Sequence, residues 1–483
     1  MATSNSEAKL RNVKLRDALL NALETLPGPP RTYAVHVLQT APKTTLDVFP
    51  YVTPRPKWMQ QDVLVLCSEQ LETDDRKRVF VAALDAVLYT HPSTRTVLLY
   101  IAKVDSTGQA CTDAPAPTRT LVRALVRFFA TQHNGKTLFV HVFARAQAQY
   151  LFPNSSDFAG KRVLSDAALN RWWRTTLSHD GLNALGRYFI VPGLDADEAA
   201  RVLGATCPTG WTYGHPYNDD ALPLPMRGMA PGVAGLIPWF EDDAKSRFVD
   251  DLAATFDEFD GAPPPSPRKK KRRLDNSNDD DEPPPQKKPK RLGDLARVTA
   301  DEFWERMGFR QECSQGAMTG FFVCAFRCVN AKSTESNTHS LEPNSTTNST
   351  GMEGEDDTTG NVSPTVVARV RGSLVKQQEF CSRERAIRST EIVEELVRAL
   401  LCDRVHQEQD RDRECHDTNT LDAMAQVYAE HVFGTRATQG AVVPPSVAGD
   451  GATRAPSTTT TTTTTTTPAT VTVLTVRRKR PRP

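Results

Sequence analysis

Two adjacent carboxylates and a lysine are the residues best placed to do chemistry, within the stretch Ile237-Pro238-Trp239-Phe240-Glu241-Asp242-Asp243-Ala244-Lys245-Ser246-Arg247-Phe248. An apolar approach leads to the acids and a helical run follows, because over 244–259 Phe248, Leu252, Phe256 and Phe259 fall on one face. Asp242 and Asp243 therefore lie at or just before its first turn. One reading places a carboxylate next to a reactive lysine in a pocket walled by Trp239 and Phe240. The other is plain capping, since a carboxylate beside free amide donors favours a helix start. Asp243 and Arg247 also stand as an i to i+4 pair, worth only about 0.3–0.5 kcal/mol if exposed.

The elements that must position this stretch alternate between sheet and helix. An amphipathic helix over 8–26 ends at Pro27-Gly28-Pro29-Pro30. Strand patterns follow at 32–40, 62–70, 79–90 and 96–108, the last two as a hairpin around His91-Pro92-Ser93, then a helix at 118–132 and a strand at 136–147. Ser165-Asp166 caps a helix carrying Leu169, Trp172, Trp173 and Leu177. Neighbours on a helix are about 100° apart, so one tryptophan of the pair should line a surface or cleft. A short helix at 195–204 precedes a Pro/Gly-rich loop, 208–238, whose Trp211 and Tyr213 suggest function rather than disorder. Thr299 with Glu302 forms a capping box, FFVCAFRCV (321–329) and TVVARVRGSLV (365–375) read as paired strands, and 391–405 and 420–433 read as helices. The expected class is α/β, a central mixed sheet surrounded by helices.

Composition limits how much of the 483 residues can pack, since hydrophobic residues are 39% and prolines number 34. The expected organisation is one domain over 1–262 and 293–436, a disordered basic and acidic insert at 263–292, a disordered loop at 332–364, and a low-complexity tail at 437–483 with ten threonines at 458–467. The insert's two basic clusters read as a nuclear import signal, with a nucleic-acid-tethering arm as the alternative. A net charge of +1 implies no overall bias toward nucleic acid. Nine cysteines without a CxxC indicate neither a disulfide framework nor a zinc site, and Cys415-His416 near His406 falls short of one, so no metal is expected. A polar amino terminus and the lack of an apolar run of about 18 residues point to a soluble intracellular protein without a membrane partner.

Nucleotide-loop, zinc-hydrolase, serine-hydrolase and kinase motifs are all missing. Several pieces nevertheless occur in a telling order: Lys103-Val104-Asp105-Ser106-Thr107-Gly108, Gln149-Tyr150-Leu151-Phe152-Pro153-Asn154-Ser155-Ser156, Leu169-Asn170-Arg171-Trp172-Trp173 and Val191-Pro192-Gly193. Asp242-Asp243-x-Lys245-x-Arg247-Phe248, Phe303-Trp304-Glu305 and Arg310-Gln311-Glu312 complete the series. Over about 80–435 the chain resembles the fungal histone acetyltransferases of the regulator-of-transposition family, which act with histone chaperones on newly made histone three. The resemblance implies a fold like the CREB-binding-protein type of acetyltransferase, with acetyl-CoA in a tunnel under a long loop. By position it puts Val104, Asp105, Ser106, Thr118, Arg119, Phe143, Gln147, Arg162, Val163, Leu164 and Trp172 at the coenzyme. Around the acetyl group and incoming lysine it puts Asp243, Asp242, Trp173 and Tyr150, with Phe143 shared, and it makes Lys245 a buried lysine that acetylates itself. It implies histones three and four and chaperones of the anti-silencing and nucleosome-assembly types as partners. It also implies a nuclear role in nucleosome assembly, replication and repair, without sequence-specific nucleic-acid binding. Glu241 and Ala244 stand where the family has prolines, and Arg162 replaces a histidine.

These assignments make chemical sense. A substrate lysine, with an unperturbed pKa of ~10.4, must shed a proton before attacking a thioester. Asp243 is the first candidate for proton acceptor or amine-orienting group and Asp242 the second; pure positioning without a base is the rival. For Trp173 and Tyr150 the alternative is ordinary core packing, for Asp105 a turn residue, and for Lys245 a solvated helix lysine. A non-catalytic nuclear histone-binding or chaperone-adaptor protein on the same fold is the other functional reading.

Overall fold

A computed structural model describes residues 14–71, 77–178, 181–204, 209–255, 292–314, 318–328, 361–409 and 428–439. Ten strands form its sheet: β1 Arg31–Gln39, β2 Lys43–Thr45, β3 Trp58–Leu71, β4 Val79–Thr90, β5 Thr96–Ser106, β6 Thr137–Ala144, β7 Asn183–Ile190, β8 Thr212–Tyr213, β9 Gly320–Arg327 and β10 Phe433–Ala437. Their order is β10-β1-β3-β4-β5-β6-β9-β7-β8, with β2 paired to β3. The sheet is mixed: β5–β6 and β7–β8 run parallel and the other pairs antiparallel. A parallel pair needs a crossover, and α2, Thr118–Gln132, supplies it between β5 and β6.

Alternation along the central strands divides the apolar residues between two faces. Val97, Leu99 and Ile101 of β5, with Leu138, Val140 and Val142 of β6, pack under α1 (Leu15–Glu24), α2 and α3 (Asp166–Leu177). Leu98, Tyr100 and Phe139 face the opposite way, against Phe49, Trp58 and Phe240. On that second side α5 (Ala244–Ala254) and α6 (Ala300–Met307) pack through Phe248, Leu252, Phe303 and Met307. Between α3 and α5 in sequence lies α4, Ala196–Leu203, opened by a capping box from Asp195 and Glu198.

Five expectations need correction. TVVARVRGSLV is not a strand but part of α8, Pro364–Gln377, which follows the short α7, Gln311–Ser314. The ARVR alternation misled; Ser363 caps the helix, Pro364 opens it, and Val366, Val367, Val370 and Leu374 are buried at helical spacing while Arg371 reaches Asp85 at 2.8 Å. FFVCAFRCV pairs instead with β6 and with β7, a strand whose bulge at Leu185 hides its pattern from the sequence. Within 420–433, the described part from Tyr428 is a π turn leading into β10, because Phe433 stacks on Tyr428 (5.4 Å) and approaches His36 (4.8 Å) while β10 hydrogen-bonds to β1. Arg247 pairs with Glu312 at 3.1 Å rather than with Asp243. The helix expected at 391–405 is longer, α9, Arg383–Gln409. The basic insert at 263–292 lies outside the described residues apart from Leu292; the 332–364 loop lies outside them up to 360, and the tail from 440 onward. Phe256, Phe259 and Cys415-His416 also lie outside them. Among the described residues no helix is long and apolar enough to cross a membrane.

Candidate functional site

The parallel strands β5 and β6 end side by side, and the loops that leave them must diverge, which opens a crevice of the kind that takes ligands in α/β sheets. Here it is a cavity of about 650 Å³ between the end of β5, the 108–117 loop, the start of α2, the 143–150 segment, the 160–164 strap and α3. All eleven residues assigned to the coenzyme line it, Val104 through Trp172, and so do Tyr150 and Trp173. Asp242, Asp243 and Lys245 do not line it. Lys103 makes the connection: it belongs to the cavity wall, and its Nζ lies 3.1 Å from Asp242 Oδ2.

Asp105 holds the wall together. One carboxylate oxygen accepts from the consecutive amides of Tyr150 (2.8 Å), Leu151 (2.8 Å) and Phe152 (3.1 Å), and the other from Ser106 N–H (2.8 Å) and Lys161 Nζ (2.9 Å). With its acceptor sites used and its side chain buried, Asp105 positions the 150–152 turn and the strap. Lys161, which the sequence reading passed over, completes this by also donating to Ser155. Gly108 is required where the strap crosses: its φ is +79°, and a Cβ there would meet Lys161 Cα at 2.4 Å.

The aromatic end comes from α3 and β6. Ser165 caps α3, accepting from Ala168 N–H, and sets the phase that brings Trp172 and Trp173 to the cavity edge to face, 4.9 Å apart, with Trp173 the more buried. Both indoles line it, where the sequence argued for one. Phe143 stacks on Phe321 at 5.0 Å. The Tyr150 hydroxyl donates to the Arg145 carbonyl and accepts from Gln147 N–H at 3.1 Å; burial pushes its pKa up to about 12, so it stays protonated at neutral pH.

The α2 start is electropositive by construction. Pro117 offers no side-chain cap, the first amides of the helix have no intrahelical acceptor, and Thr118 Oγ1 and Arg119 Nε are buried without a hydrogen-bond partner. Buried polar atoms are seldom left so, and an anion at this helix start would satisfy them.

The acid pair divides its labour. Asp242 adopts a left-handed backbone, φ +61°, and its side chain is 68% exposed. Asp243 is buried as the α5 N-cap: one oxygen accepts from Lys245 N–H at 3.0 Å and the other contacts Lys245 Nζ directly. Capping and a carboxylate–lysine contact are thus both present. The ammonium sits 4.7 Å from the Phe240 ring centre and 5.7 Å from that of Tyr100, which stack on each other. Burial lowers the Lys245 pKa and Asp243 opposes that shift, while burial and then the Lys245 charge push His141 well below the usual histidine range. Trp239 turns away to donate to Asp250 at 3.0 Å, so of the two aromatics expected around this lysine only Phe240 meets it, with Tyr100 beside it. Among the described residues no cluster of His, Cys, Asp or Glu is arranged to hold a metal ion.

Comparison with known proteins agrees with this architecture. The family model for the histone acetyltransferase KAT11-type domain matches residues 118–396. The histone acetyltransferase rtt109 of Aspergillus flavus is 30% identical over 291 residues, 53% of this chain and 46% of that one. Its Schizosaccharomyces pombe namesake is 23% identical over 257 residues, 52% and 57% of the two chains. The chain thus spans about half the length of these curated relatives. The crystal structure of Rtt109 from Aspergillus fumigatus superposes with a TM-score of 0.58 at 22% identity, covering 80% of this chain and 96% of that one, and so shares its fold. On the family match across more than half its length, the chain belongs to the KAT11-type histone acetyltransferase domain family.

Proposed function

We propose that this chain transfers the acetyl group of acetyl-CoA to a lysine of a core histone, with the donor in the cavity between β5, β6, α2 and α3. The observation that carries the reading is one cavity joining an uncapped helix start to a wall of aromatic rings, from which Lys103 reaches Asp242.

Bound there, acetyl-CoA supplies an activated thioester carbonyl. The first amides of α2, with Arg119 and Arg162, suit its phosphates. Trp173, Phe143 and the protonated Tyr150 exclude water and orient the acyl end. The incoming ammonium, with an ordinary pKa of ~10.4, must lose a proton, and Asp242 is the carboxylate with acceptor capacity for it. Its affinity for an amine is visible in the Lys103 contact. Asp243, placed first on sequence grounds, is engaged by Lys245, and in this reading it holds the acid loop in place, Lys245 being the lysine that takes an acetyl group itself. The resemblance supports finer terms: histone three in complex with histone four, presented by chaperones of the anti-silencing and nucleosome-assembly types, in the nucleus during nucleosome assembly, replication and repair.

The test is the initial rate of acetyl transfer to a histone three–four complex, with and without each chaperone. Asp242→Asn should lower turnover about 100-fold or more, the usual scale for losing proton-transfer assistance, with the melting temperature little changed because that side chain is 68% exposed. Near-normal turnover in that folded variant would refute the assignment.

A further inference from the structure

Of the two lysines beside the acid pair, Lys245 is sealed against Asp243 and outside the cavity wall, whereas Lys103 belongs to that wall with its side chain 33% exposed. A β-bulge puts it there. Asp85 faces Lys103 and Ala86 faces Ile101, so Ala102 has no partner across the strand pair. Ile101 and Val104, three apart, then pack on the same cluster, a spacing that an unbroken strand does not allow. Lys103 consequently points to the face of Tyr100 and Phe240, where Asp242 waits in its left-handed turn. The wall of the acyl-donor cavity therefore includes a lysine whose amine lies 3.1 Å from a solvent-exposed carboxylate.

We propose that Lys103 is a self-acetylation site, an inference that rests on acetyl-CoA occupying this cavity. The ammonium gives one proton to Asp242, which passes it to water through its exposed side. Nζ then attacks the thioester carbonyl carbon; the C–N bond forms, the C–S bond breaks, and the second proton leaves nitrogen for the departing coenzyme A thiolate. The product amide carries no charge, so the ion pair dissolves and Asp242 is released for an incoming substrate amine.

The experiment incubates the full chain with isotopically labelled acetyl-CoA in the absence of histone and follows each lysine by tandem mass spectrometry. Lys43 is the internal reference, because its side chain is 49% exposed, more than Lys103, and carries a carboxylate partner, Asp62, at 3.7 Å. Chemical acetylation from solution would label Lys43 at least as fast. Transfer inside the cavity should label Lys103 about tenfold faster or more, since proximity replaces a bimolecular encounter. The rate should not depend on protein concentration, and saturating desulfo-coenzyme A should suppress it. Labelling of Lys103 no faster than Lys43, while Lys245 is labelled or histone is acetylated in a parallel reaction that contains it, would overturn the inference and leave the proposed function standing. Failure to acetylate histone or any lysine would overturn both.

Discussion

The buried pair of Asp243 and Lys245 permits a quantitative test of how the acid loop is held. Asp243→Asn keeps an oxygen to cap α5, and Asn caps as well as Asp, so the change removes charge and little else. The Lys245 ammonium is then left with the faces of Phe240 and Tyr100, worth about 1–2 kcal/mol against a desolvation cost several times larger. We expect a loss of about 2–4 kcal/mol. Lys245→Met leaves the Asp243 carboxylate buried with one backbone amide, which should cost about 3–5 kcal/mol. The double variant buries neither charge and should lose only about 0–2 kcal/mol, a coupling energy of roughly 6 kcal/mol. Equilibrium urea denaturation followed by tryptophan fluorescence measures all three. Additive losses, with the double variant the least stable, would refute a direct pair. The same geometry predicts what acetylation of Lys245 does: an acetamide N–H still donates to Asp243, so the modified protein should be more stable than Lys245→Met.

Two further outcomes follow from other parts of the molecule. His36 and His141 are buried and His133 is half-buried, all three held neutral, the first and His133 lowered by burial to about 3 and about 4 and His141 well below its usual value. Their stabilisation is complete above pH 6.5 and is lost as the unfolded chain protonates below it, so stability should fall by roughly 3 kcal/mol between pH 6.5 and 5.5. His141→Gln should remove about a third of that fall in pH-dependent denaturation, and an unchanged slope would contradict it. Asp105→Asn cannot serve three amides and Lys161 together; we expect a loss of about 2–4 kcal/mol and a rise in KM for acetyl-CoA larger than any fall in kcat, measured by melting and steady-state rates. A KM unchanged in a folded variant would show that Asp105 does not shape the cavity.

Much of the scaffold was legible where periodicity and capping agreed. The helix at 118–132 matches α2 to the residue, because Leu121, Val122, Leu125, Val126 and Phe129 recur on one face, and Ser165 and Thr299 start their helices as read. Legibility failed where long-range pairing overrode local pattern. Alternating valines and arginines in α8 imitate a strand until Arg371 is seen reaching Asp85, and β10 is a strand only because β1 offers it an edge. The cavity residues came from the family resemblance, carried over by position between its ordered motif pieces. Lys103, part of one of those pieces, escaped notice because nothing in a linear sequence marks a bulge at Ala102.

The acid pair shows most clearly what sequence spacing leaves open. Asp242 and Asp243 are chemically identical neighbours, and each could cap, catalyse or do nothing. A left-handed φ of +61° at Asp242, followed by an extended Asp243, sends one carboxylate to solvent and Lys103 and the other beneath Phe240 to Lys245. A non-glycine residue in that region costs about 1 kcal/mol, a strain that persists only where surrounding contacts enforce it. Here the enforcing contacts are the buried pair on one side, and on the other Phe240 N–H held by Ser246 Oγ at 2.7 Å. The carboxylate that is free to meet an amine is therefore held in place by the one that is not, and the stability of the second sets the geometry of the first.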